Sequence, residues 1–219
     1  MRAVLFDLGD TLVGRAGGYR SIVEEAAARG VTVADGDAAR VWAEIQALAR
    51  TPEEIAKGRD LSAVAHQEAW TALYSAADVF ADGLGHALYE REVDPDRWVP
   101  YTDSESTLVA LHDAGVPLGI VSDTGWDYRP VLDRFGWLHL FDSIVLSFEH
   151  GAAKPTPSLF TTACAQLGVE PAGALMVGDN ALTDGGAIAA GLSVLLLPAA
   201  PPGGRRGLDA VIRLVDRSH

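Results

Sequence analysis

Short runs of apolar residues alternate with segments of helical spacing along much of the chain. Residues 3–6 are apolar and stop at Asp7, as a buried strand does where it runs into a loop. From about Trp98 onward the alternation is regular, which is typical of a parallel sheet flanked by helices. The apolar runs predict strands at 118–121, 144–146, 175–177 and 194–197. The helical spacing predicts helices at 107–114, 128–135, 157–167, 183–190 and 208–215.

Residues 16–92 differ from the rest, because they show helical spacing and no strand-like alternation. Apolar residues recur three, four and seven positions apart, as in Val41, Ile45 and Leu48. Further helical patterns cover 61–73 and 79–89, and residues 92–96 are interpreted as the linker that returns to the sheet. The large aromatic side chains of this insert are predicted to form its apolar core: Trp42, Trp70 and Phe80.

Together these patterns predict an α/β fold with two parts. The first is a Rossmann-like core of residues 1–15 and 93–219, with helices on both faces of a parallel sheet. The second is a helical cap domain of residues 16–92, inserted directly after the first strand.

Composition narrows the class of protein and of partner. Of the 219 residues, 48% are hydrophobic and 21% are charged, a balance typical of a folded domain. The net charge of −13 disfavours duplex nucleic acid and anionic membranes as partners. The single cysteine, Cys164, cannot form an internal disulfide and is predicted to pack in the core. No signal peptide or membrane span is evident, so we expect a soluble cytoplasmic protein, and its oligomeric state stays open.

Polar side chains that could bind a ligand or take part in a reaction follow four of the predicted strands. A carboxylate such as Asp7 at the end of a buried strand costs free energy unless it is exposed at a cleft, paired or bound to a cation. The carboxyl ends of parallel strands share one edge of a sheet, where ligands bind in open α/β folds. The groups predicted to meet there are Asp7 with Thr11, Ser122 with Asp123, Lys154, and Asp179 with Asp184. Lys154 is one of only two lysines, and nearby prolines stiffen the segment that carries it.

Four segments in order carry a resemblance to a known family. They read FDLGDTL, IVSD, GAAKPTPSLF and VGDNALTDGGAIAAGL, and together they extend over nearly the whole chain. The chain resembles the haloacid dehalogenase-like hydrolase superfamily, in the branch with a helical cap inserted after the first motif.

The resemblance implies a role for each matching residue. Asp7 would be the nucleophile, and Mg²⁺ would be held by Asp7, the backbone carbonyl of Gly9 and Asp179. Asp184 would orient the metal shell or the lysine, although it could instead only cap the helix predicted from residue 183. Catalytic or substrate-binding roles would then fall to the remaining polar groups: Asp10, Thr11, Ser122, Asp123 and Lys154.

The sequence departs from the family pattern at two positions. Where the family's phosphatases read D-x-D-G-T, this chain has Gly9 in place of the second aspartate, and Asp10 follows. In the family that aspartate is the general acid, and a positioned proton donor contributes about 10²–10⁴-fold. We favour loss of this function over its replacement by Asp10. At the second position, Asp123 stands where the family often has asparagine, which adds a carboxylate beside the expected phosphate site.

Three functions are compatible with these residues. The leading hypothesis is a Mg²⁺-dependent phosphatase that acts on a small phosphorylated metabolite through an aspartyl-phosphate, slow or selective for the leaving group because of Gly9. The others are a 2-haloacid dehalogenase-type hydrolase, which Asp179 argues against, and a catalytically weakened binding protein of the same fold. The substrate is not specified by the sequence, but the candidate contacts near or in the cap are Arg15, Tyr19, Arg20, Lys57 and Arg59.

Overall fold

The computed structural model describes residues 1–216. Its strands, in chain order, are β1 Ala3–Phe6, β2 Val13–Arg15, β3 Trp98–Pro100, β4 Leu118–Ser122, β5 Ser143–Leu146, β6 Ala174–Gly178 and β7 Ser193–Leu196. Its α-helices are α1 Arg20–Ala28, α2 Asp35–Ala49, α3 Pro52–Ala56, α4 Ala63–Tyr74, α5 Leu84–Glu92, α6 Ser104–Asp113, α7 Arg129–Arg134, α8 Ser147–His150, α9 Pro157–Gln166 and α10 Asp209–Asp216. Short 3₁₀ helices lie at Arg59–Leu61, Ser75–Val79, Pro95–Arg97, Leu138–Leu140, Pro171–Gly173 and Asp184–Ala190.

Within residues 1–216, the main sheet has five parallel strands in the order β5-β4-β1-β6-β7. Strand β1 lies at the centre because all four of its residues are apolar and buried. Its side chains alternate between the faces of the sheet: Val4 and Phe6 join one apolar cluster, and Leu5 joins another. The first cluster includes residues of α6, α7 and α10, and the second includes residues of α9. This arrangement confirms the predicted α/β core with helices on both faces.

The helices from α1 to α5 surround a separate apolar core, which confirms a helical cap inserted after the first strand. Its buried members include Ile22, Ile45, Tyr74 and Leu84. The boundaries of this cap at residues 16 and 92 stay a prediction.

Two details of the cap prediction are wrong. The helix predicted over 79–89 is interrupted, because a 3₁₀ helix ends at Val79 and α5 begins only after Gly83, which has a left-handed φ of 76°. Glu92, assigned to the return linker, is instead a buried residue of α5.

The sheet region differs from the prediction in two elements. Strands β2 and β3 form a two-stranded antiparallel ribbon, which the sequence did not predict because three residues are too few to show alternation. The helix predicted over 183–190 is a 3₁₀ helix instead of an α-helix. Gly185 and Gly186 lie in this segment, and glycine disfavours the α-helix. A side chain at Gly186 would also collide with Pro155, since its Cβ would lie 2.1 Å from that ring.

The helices formed by residues 1–216 are each too short or too polar to span a lipid bilayer.

Candidate active site

A buried lysine joins two of the predicted site carboxylates. The Nζ atom of Lys154 lies 2.7 Å from Oδ1 of Asp7 and 2.6 Å from Oδ1 of Asp184. Asp7 directly follows β1, Asp184 lies beyond the end of β6, and Lys154 comes from the loop between α8 and α9. The carboxyl ends of the strands therefore bring these groups together, as the sequence predicts.

Burial and neighbouring charges determine how these groups ionise. Burial raises the pKa of Asp7 to about 6, and the Asp184 charge adds to this effect while Lys154 opposes it. Burial alone would lower the pKa of Lys154, but the carboxylates of Asp184, Asp7 and Asp123 hold it well above its ordinary value. Lys154 is thus a cation at neutral pH, and it lies beside Asp7, whose ionisation costs free energy because the carboxyl group is buried.

Asp184 also fixes the backbone of the loop after β6. Its Oδ2 atom accepts hydrogen bonds from the backbone N–H groups of Asp179 and Asn180, each at 2.9 Å. This close approach requires glycine at residue 178, where a Cβ atom would lie 2.2 Å from the same oxygen. Asp184 therefore holds both Lys154 and the Asp179 loop. It begins the 3₁₀ helix but does not act as its N-cap, a position held by Thr183.

Three acidic side chains are placed so that they could share a metal ion. Carboxylate oxygens of Asp7, Asp179 and Asp184 all lie within 4.8 Å of one another. Within residues 1–216, the Asp179 carboxylate has no hydrogen bond or ion pair, and the Gly9 carbonyl accepts no hydrogen bond. Burial, followed by the charges of Asp7, Asp10 and Asp184, raises the pKa of Asp179 to about 7. Clustered carboxylate and carbonyl oxygens, more than the single cation Lys154 can neutralise, fit a hard divalent cation such as Mg²⁺.

The remaining predicted residues surround this centre in different ways. Ser122 is buried at the end of β4 and borders the cavity, and its hydroxyl makes no hydrogen bond within residues 1–216. Thr11 is fully buried behind Asp7, toward which its hydroxyl points at 3.4 Å. Asp123 borders the cavity, and its Oδ1 atom accepts the backbone N–H of Lys154 at 2.8 Å. Thr11 thus orients Asp7 and does not reach the cavity wall.

Asp10 adopts an unusual backbone conformation three residues after Asp7. Its φ of 57° is in the left-handed region, which asparagine and aspartate tolerate better than most residues. The Asp10 carboxylate lies 3.5 Å from the guanidinium of Arg50 in the cap, and Nε of Arg206 donates to the Asp10 carbonyl at 2.7 Å. The carboxylate therefore pairs with the edge of the cap across the cavity.

The cap closes over this centre and leaves a cavity of about 170 Å³. Of the five predicted contacts, Arg15 and Arg59 border it, whereas Tyr19, Arg20 and Lys57 do not. Trp70 belongs to the apolar core of the cap, as predicted, and also borders the cavity. Further lining residues that the sequence analysis missed are Gln46, Ala49, Arg50, Ile55, Asp60, His66, Glu92, Trp98, Tyr128, Asn180 and Thr183.

Arg15 anchors the wall of the cavity formed by the cap. Its Nη1 atom donates to Glu92 at 2.7 Å, and Tyr74 donates to the same carboxylate at 2.8 Å. The guanidinium carbon lies 5.4 Å from the ring centre of Trp70 and 5.8 Å from that of Trp98. Glu92 already neutralises much of the positive charge of Arg15. Arg15 therefore shapes this wall by packing, and only part of its charge is left to attract a ligand.

Asp123→Asn is expected to stabilise the folded protein at about pH 8 and to have little effect near pH 4. Burial raises the pKa of Asp123 from its ordinary 3.8 to about 7, and Lys154 offsets this only in part. Because the folded-state pKa is the higher one, ionised Asp123 reduces stability progressively as the pH rises from about 4 to about 7. Asparagine avoids this cost and can still accept the Lys154 N–H. We expect a gain on the order of 1–3 kcal/mol in the free energy of unfolding.

Urea unfolding of the Asp123→Asn variant across this pH range measures the effect. Asp113→Asn, which changes an exposed carboxylate on α6, is the matched control. A difference from the wild type that stays constant with pH would contradict the assignment of a raised pKa to Asp123.

Comparison with known proteins identifies the family. The model of the haloacid dehalogenase-like hydrolase family matches residues 1–191. The chain therefore belongs to the haloacid dehalogenase-like hydrolases, a family of enzymes, which confirms the resemblance seen in its motifs.

Curated relatives and solved structures extend this finding. Glyceraldehyde 3-phosphate phosphatase of Methanopyrus kandleri is 39% identical over 85 residues, which cover 37% of this chain and 35% of that protein. Phosphoserine phosphatase of Thermus thermophilus is 29% identical over 208 residues, which cover 84% of this chain and 83% of that protein. The chain spans less than half the length of several other relatives that it matches. A HAD phosphatase structure from Thermococcus onnurineus has a TM-score of 0.63 at 25% identity and 98% coverage of both chains. A dehalogenase structure has a TM-score of 0.71 at 21% identity, and the match covers 98% of this chain and 96% of that one. At this identity the likeness shows a shared fold alone.

Proposed function

We propose that this protein is a Mg²⁺-dependent phosphatase that hydrolyses a small phosphorylated metabolite through an aspartyl-phosphate on Asp7. The observation that carries the proposal is the buried Lys154, which contacts Asp7 and Asp184 beside Asp179, whose carboxylate has no partner among residues 1–216. A phosphoryl group carries spread negative charge, and this centre combines a nucleophile, a fixed cation and oxygen ligands for a metal.

Each residue has a task that follows from its contacts. Lys154 fixes the Asp7 carboxylate through Oδ1, and Thr11 orients the second oxygen, so Asp7 is aimed before the substrate arrives. The Ser122 hydroxyl borders the cavity, has no hydrogen-bond partner in the described part of the chain and can donate to a phosphoryl oxygen. Lys154 can share its positive charge with the phosphoryl oxygens as the bond to the leaving group breaks. Asp184 keeps Lys154 in place and holds the Asp179 loop.

The residues present fit a magnesium ion. Asp7, Asp179 and the carbonyl of Gly9 would hold it, with Asp184 orienting the loop that presents Asp179. When bound, the ion neutralises the carboxylates and the phosphoryl charge, so that the nucleophile and the substrate can approach one another.

The cap and Gly9 set the expected selectivity. The small cavity under the proposed cap of residues 16–92 suits a compact substrate, and Arg15, Arg50 and Arg59 border it. Because position 9 lacks a carboxyl group and the Asp10 carboxylate pairs with Arg50, proton donation to the leaving group is weakened. Aryl and acyl phosphates, whose leaving groups need little protonation, are therefore expected to react faster than alkyl phosphates.

A metabolite-phosphate panel, assayed with and without Mg²⁺, tests the proposal. The panel includes an aryl phosphate and a 2-haloacid, so that the dehalogenase alternative is assayed in parallel. Phosphate release that requires Mg²⁺ and Asp7 supports the proposal. Halide release that is insensitive to a chelator, with no phosphate release, would favour the dehalogenase instead.

Mg²⁺ is expected to raise the melting temperature, and by more at about pH 8 than at about pH 5. Burial places the pKa of Asp7 at about 6 and that of Asp179 at about 7, so without metal their ionisation costs stability as the pH rises through these values. A cation that binds only the folded site removes this cost, and at a hundred times its Kd it contributes about 2.7 kcal/mol. Thermal melts of the wild type and of Asp179→Asn measure the effect. An equal shift in both proteins would show that the ion binds elsewhere.

A further inference from the structure

The space beside Gly9 is bordered by a tyrosine hydroxyl. A Cβ atom at residue 9 would lie 3.9 Å from the hydroxyl oxygen of Tyr128 and 3.8 Å from the ring of Trp98. These are ordinary contact distances, so a side chain at this position would point into the region where the hydroxyl lies. The position at which the chain lacks a carboxyl group therefore has another polar group next to it.

The surrounding aromatic side chains hold Tyr128 in place. It is only 6% exposed and directly precedes α7. Its ring meets Trp98 at 5.2 Å and 79° and Trp126 at 4.4 Å and 62°, which are the edge-to-face arrangements that aromatic rings prefer. Trp98 is itself fixed by a hydrogen bond from its indole to the carbonyl of Glu92 at 3.0 Å. The hydroxyl is therefore held at one position on the cavity wall.

The Tyr128 hydroxyl is available at the cavity. Tyr128 borders the same cavity as Asp7 and Ser122, and across residues 1–216 its hydroxyl makes no hydrogen bond. Buried polar groups are nearly always hydrogen-bonded, so one that is free at a cavity is available to a ligand. Burial, reinforced by the charge of Glu92, holds the pKa of Tyr128 well above its ordinary value, so the hydroxyl keeps its proton and is a donor at neutral pH.

We propose that the Tyr128 hydroxyl donates a hydrogen bond to the leaving-group oxygen of the substrate and so takes over part of the task that a carboxyl group at position 9 would perform. The proposal rests on the phosphatase function given above. When an oxygen of Asp7 forms its bond to phosphorus, the bond from phosphorus to the leaving oxygen breaks and its electron pair stays on that oxygen. A donor fixed at this point stabilises the developing charge, and hydrogen bonds to charged groups are the strong ones.

Tyr128→Phe removes the donor and keeps the aromatic packing. With Mg²⁺ present, kcat/KM for an alkyl phosphate is expected to fall roughly 10–100-fold, while an aryl phosphate is expected to change little, because its leaving group needs less stabilisation. Adding Gly9→Asp to Tyr128→Phe places a carboxyl group in the vacated space and is expected to restore turnover of the alkyl phosphate. A purely structural role for Tyr128 would lower kcat/KM for both substrates equally, and Gly9→Asp would then raise turnover of the alkyl phosphate by the same factor with or without Tyr128→Phe.

A binding measurement provides a readout that does not depend on turnover. Orthovanadate forms five-coordinate adducts with an oxygen in the leaving-group position, so calorimetry with Mg²⁺ and vanadate reports the same hydrogen bond. The Kd is expected to rise roughly tenfold or more in Tyr128→Phe. An unchanged Kd, or an unchanged ratio of aryl to alkyl turnover, overturns the role of Tyr128 while leaving the phosphatase function standing. A wild-type protein that neither hydrolyses a phosphate nor binds vanadate overturns both proposals.

Discussion

Replacement of Asp7 by asparagine is expected to abolish hydrolysis and to leave the fold intact. Asparagine has the same shape but cannot form the acyl-phosphate bond, and removal of a nucleophile costs on the order of 10⁴–10⁶-fold in kcat. Lys154 keeps its ion pair with Asp184 in this variant, so no buried cation is left without a counter-charge. Turnover of the best substrate from the panel measures the loss, and circular dichroism reports the fold.

The matched control for this variant is Asp133→Asn, which makes the same chemical change at an exposed position on α7. It should retain wild-type activity. An Asp7→Asn protein that is folded and as active as this control would remove Asp7 from the role of nucleophile.

Replacement of Lys154 by methionine is expected to cause the largest loss of stability of any single substitution in the site. The side chain of Lys154 is 3% exposed and lies between Asp7 and Asp184, so methionine leaves two buried carboxylates without their cation. Breaking a buried ion pair by removing one partner costs about 3–5 kcal/mol. The loss should be smaller at about pH 5 than at about pH 8, because protonation relieves the uncompensated charge. Activity should also fall, because Asp7 is no longer held in place.

The chain supplies its own control, since Lys57 is its one other lysine. The Lys57 side chain is 60% exposed, pairs with the largely buried Glu54 and is not among the described residues that border the cavity. Lys57→Met should lower the free energy of unfolding by less than Lys154→Met does, because the Lys57 cation is largely in water and has one carboxylate partner instead of two. Equal destabilisation by the two variants in urea titrations would show that the pairing of Lys154 contributes nothing specific.

The central site could be predicted from the sequence because strand ends have a fixed place in a parallel sheet. Lys154 is 147 residues from Asp7 and 30 from Asp184, yet their side chains meet. All three follow strands at the carboxyl edge of the sheet, so identifying the strands was enough to bring them together. The apolar run at residues 3–6 gave an equally direct prediction of a buried strand, which the structure confirms as β1.

The cap side of the cavity could not be predicted in the same way. Arg15 and Glu92 are 77 residues apart and belong to a short strand and to a helix end, neither of which has a fixed position relative to the sheet. Trp70 and Tyr128 follow the apolar spacing of buried helix residues, and periodicity cannot distinguish a core side chain from one that borders a cavity. Only the packing of the cap on the core reveals that these residues face the site.

The conformation of Asp10 was also beyond the sequence. Both glycine and aspartate tolerate the left-handed region, and the structure gives this φ to Asp10 and not to the neighbouring Gly9. The Arg50 side chain and the buried Arg206, which contact Asp10 from distant parts of the chain, are consistent with this choice. Tertiary contacts of this kind outweigh local preference, and a single sequence does not show them.

Trapping the covalent intermediate tests the central claim most directly. The enzyme is mixed with Mg²⁺ and its best phosphate substrate, quenched in acid during turnover, digested and analysed by mass spectrometry. We predict one added phosphoryl group on the peptide that contains Asp7, absent from the Asp7→Asn variant and retained in Asp133→Asn. Phosphate release at the wild-type rate with no phosphorylated peptide, or with the phosphoryl group on another residue, would contradict the proposed mechanism.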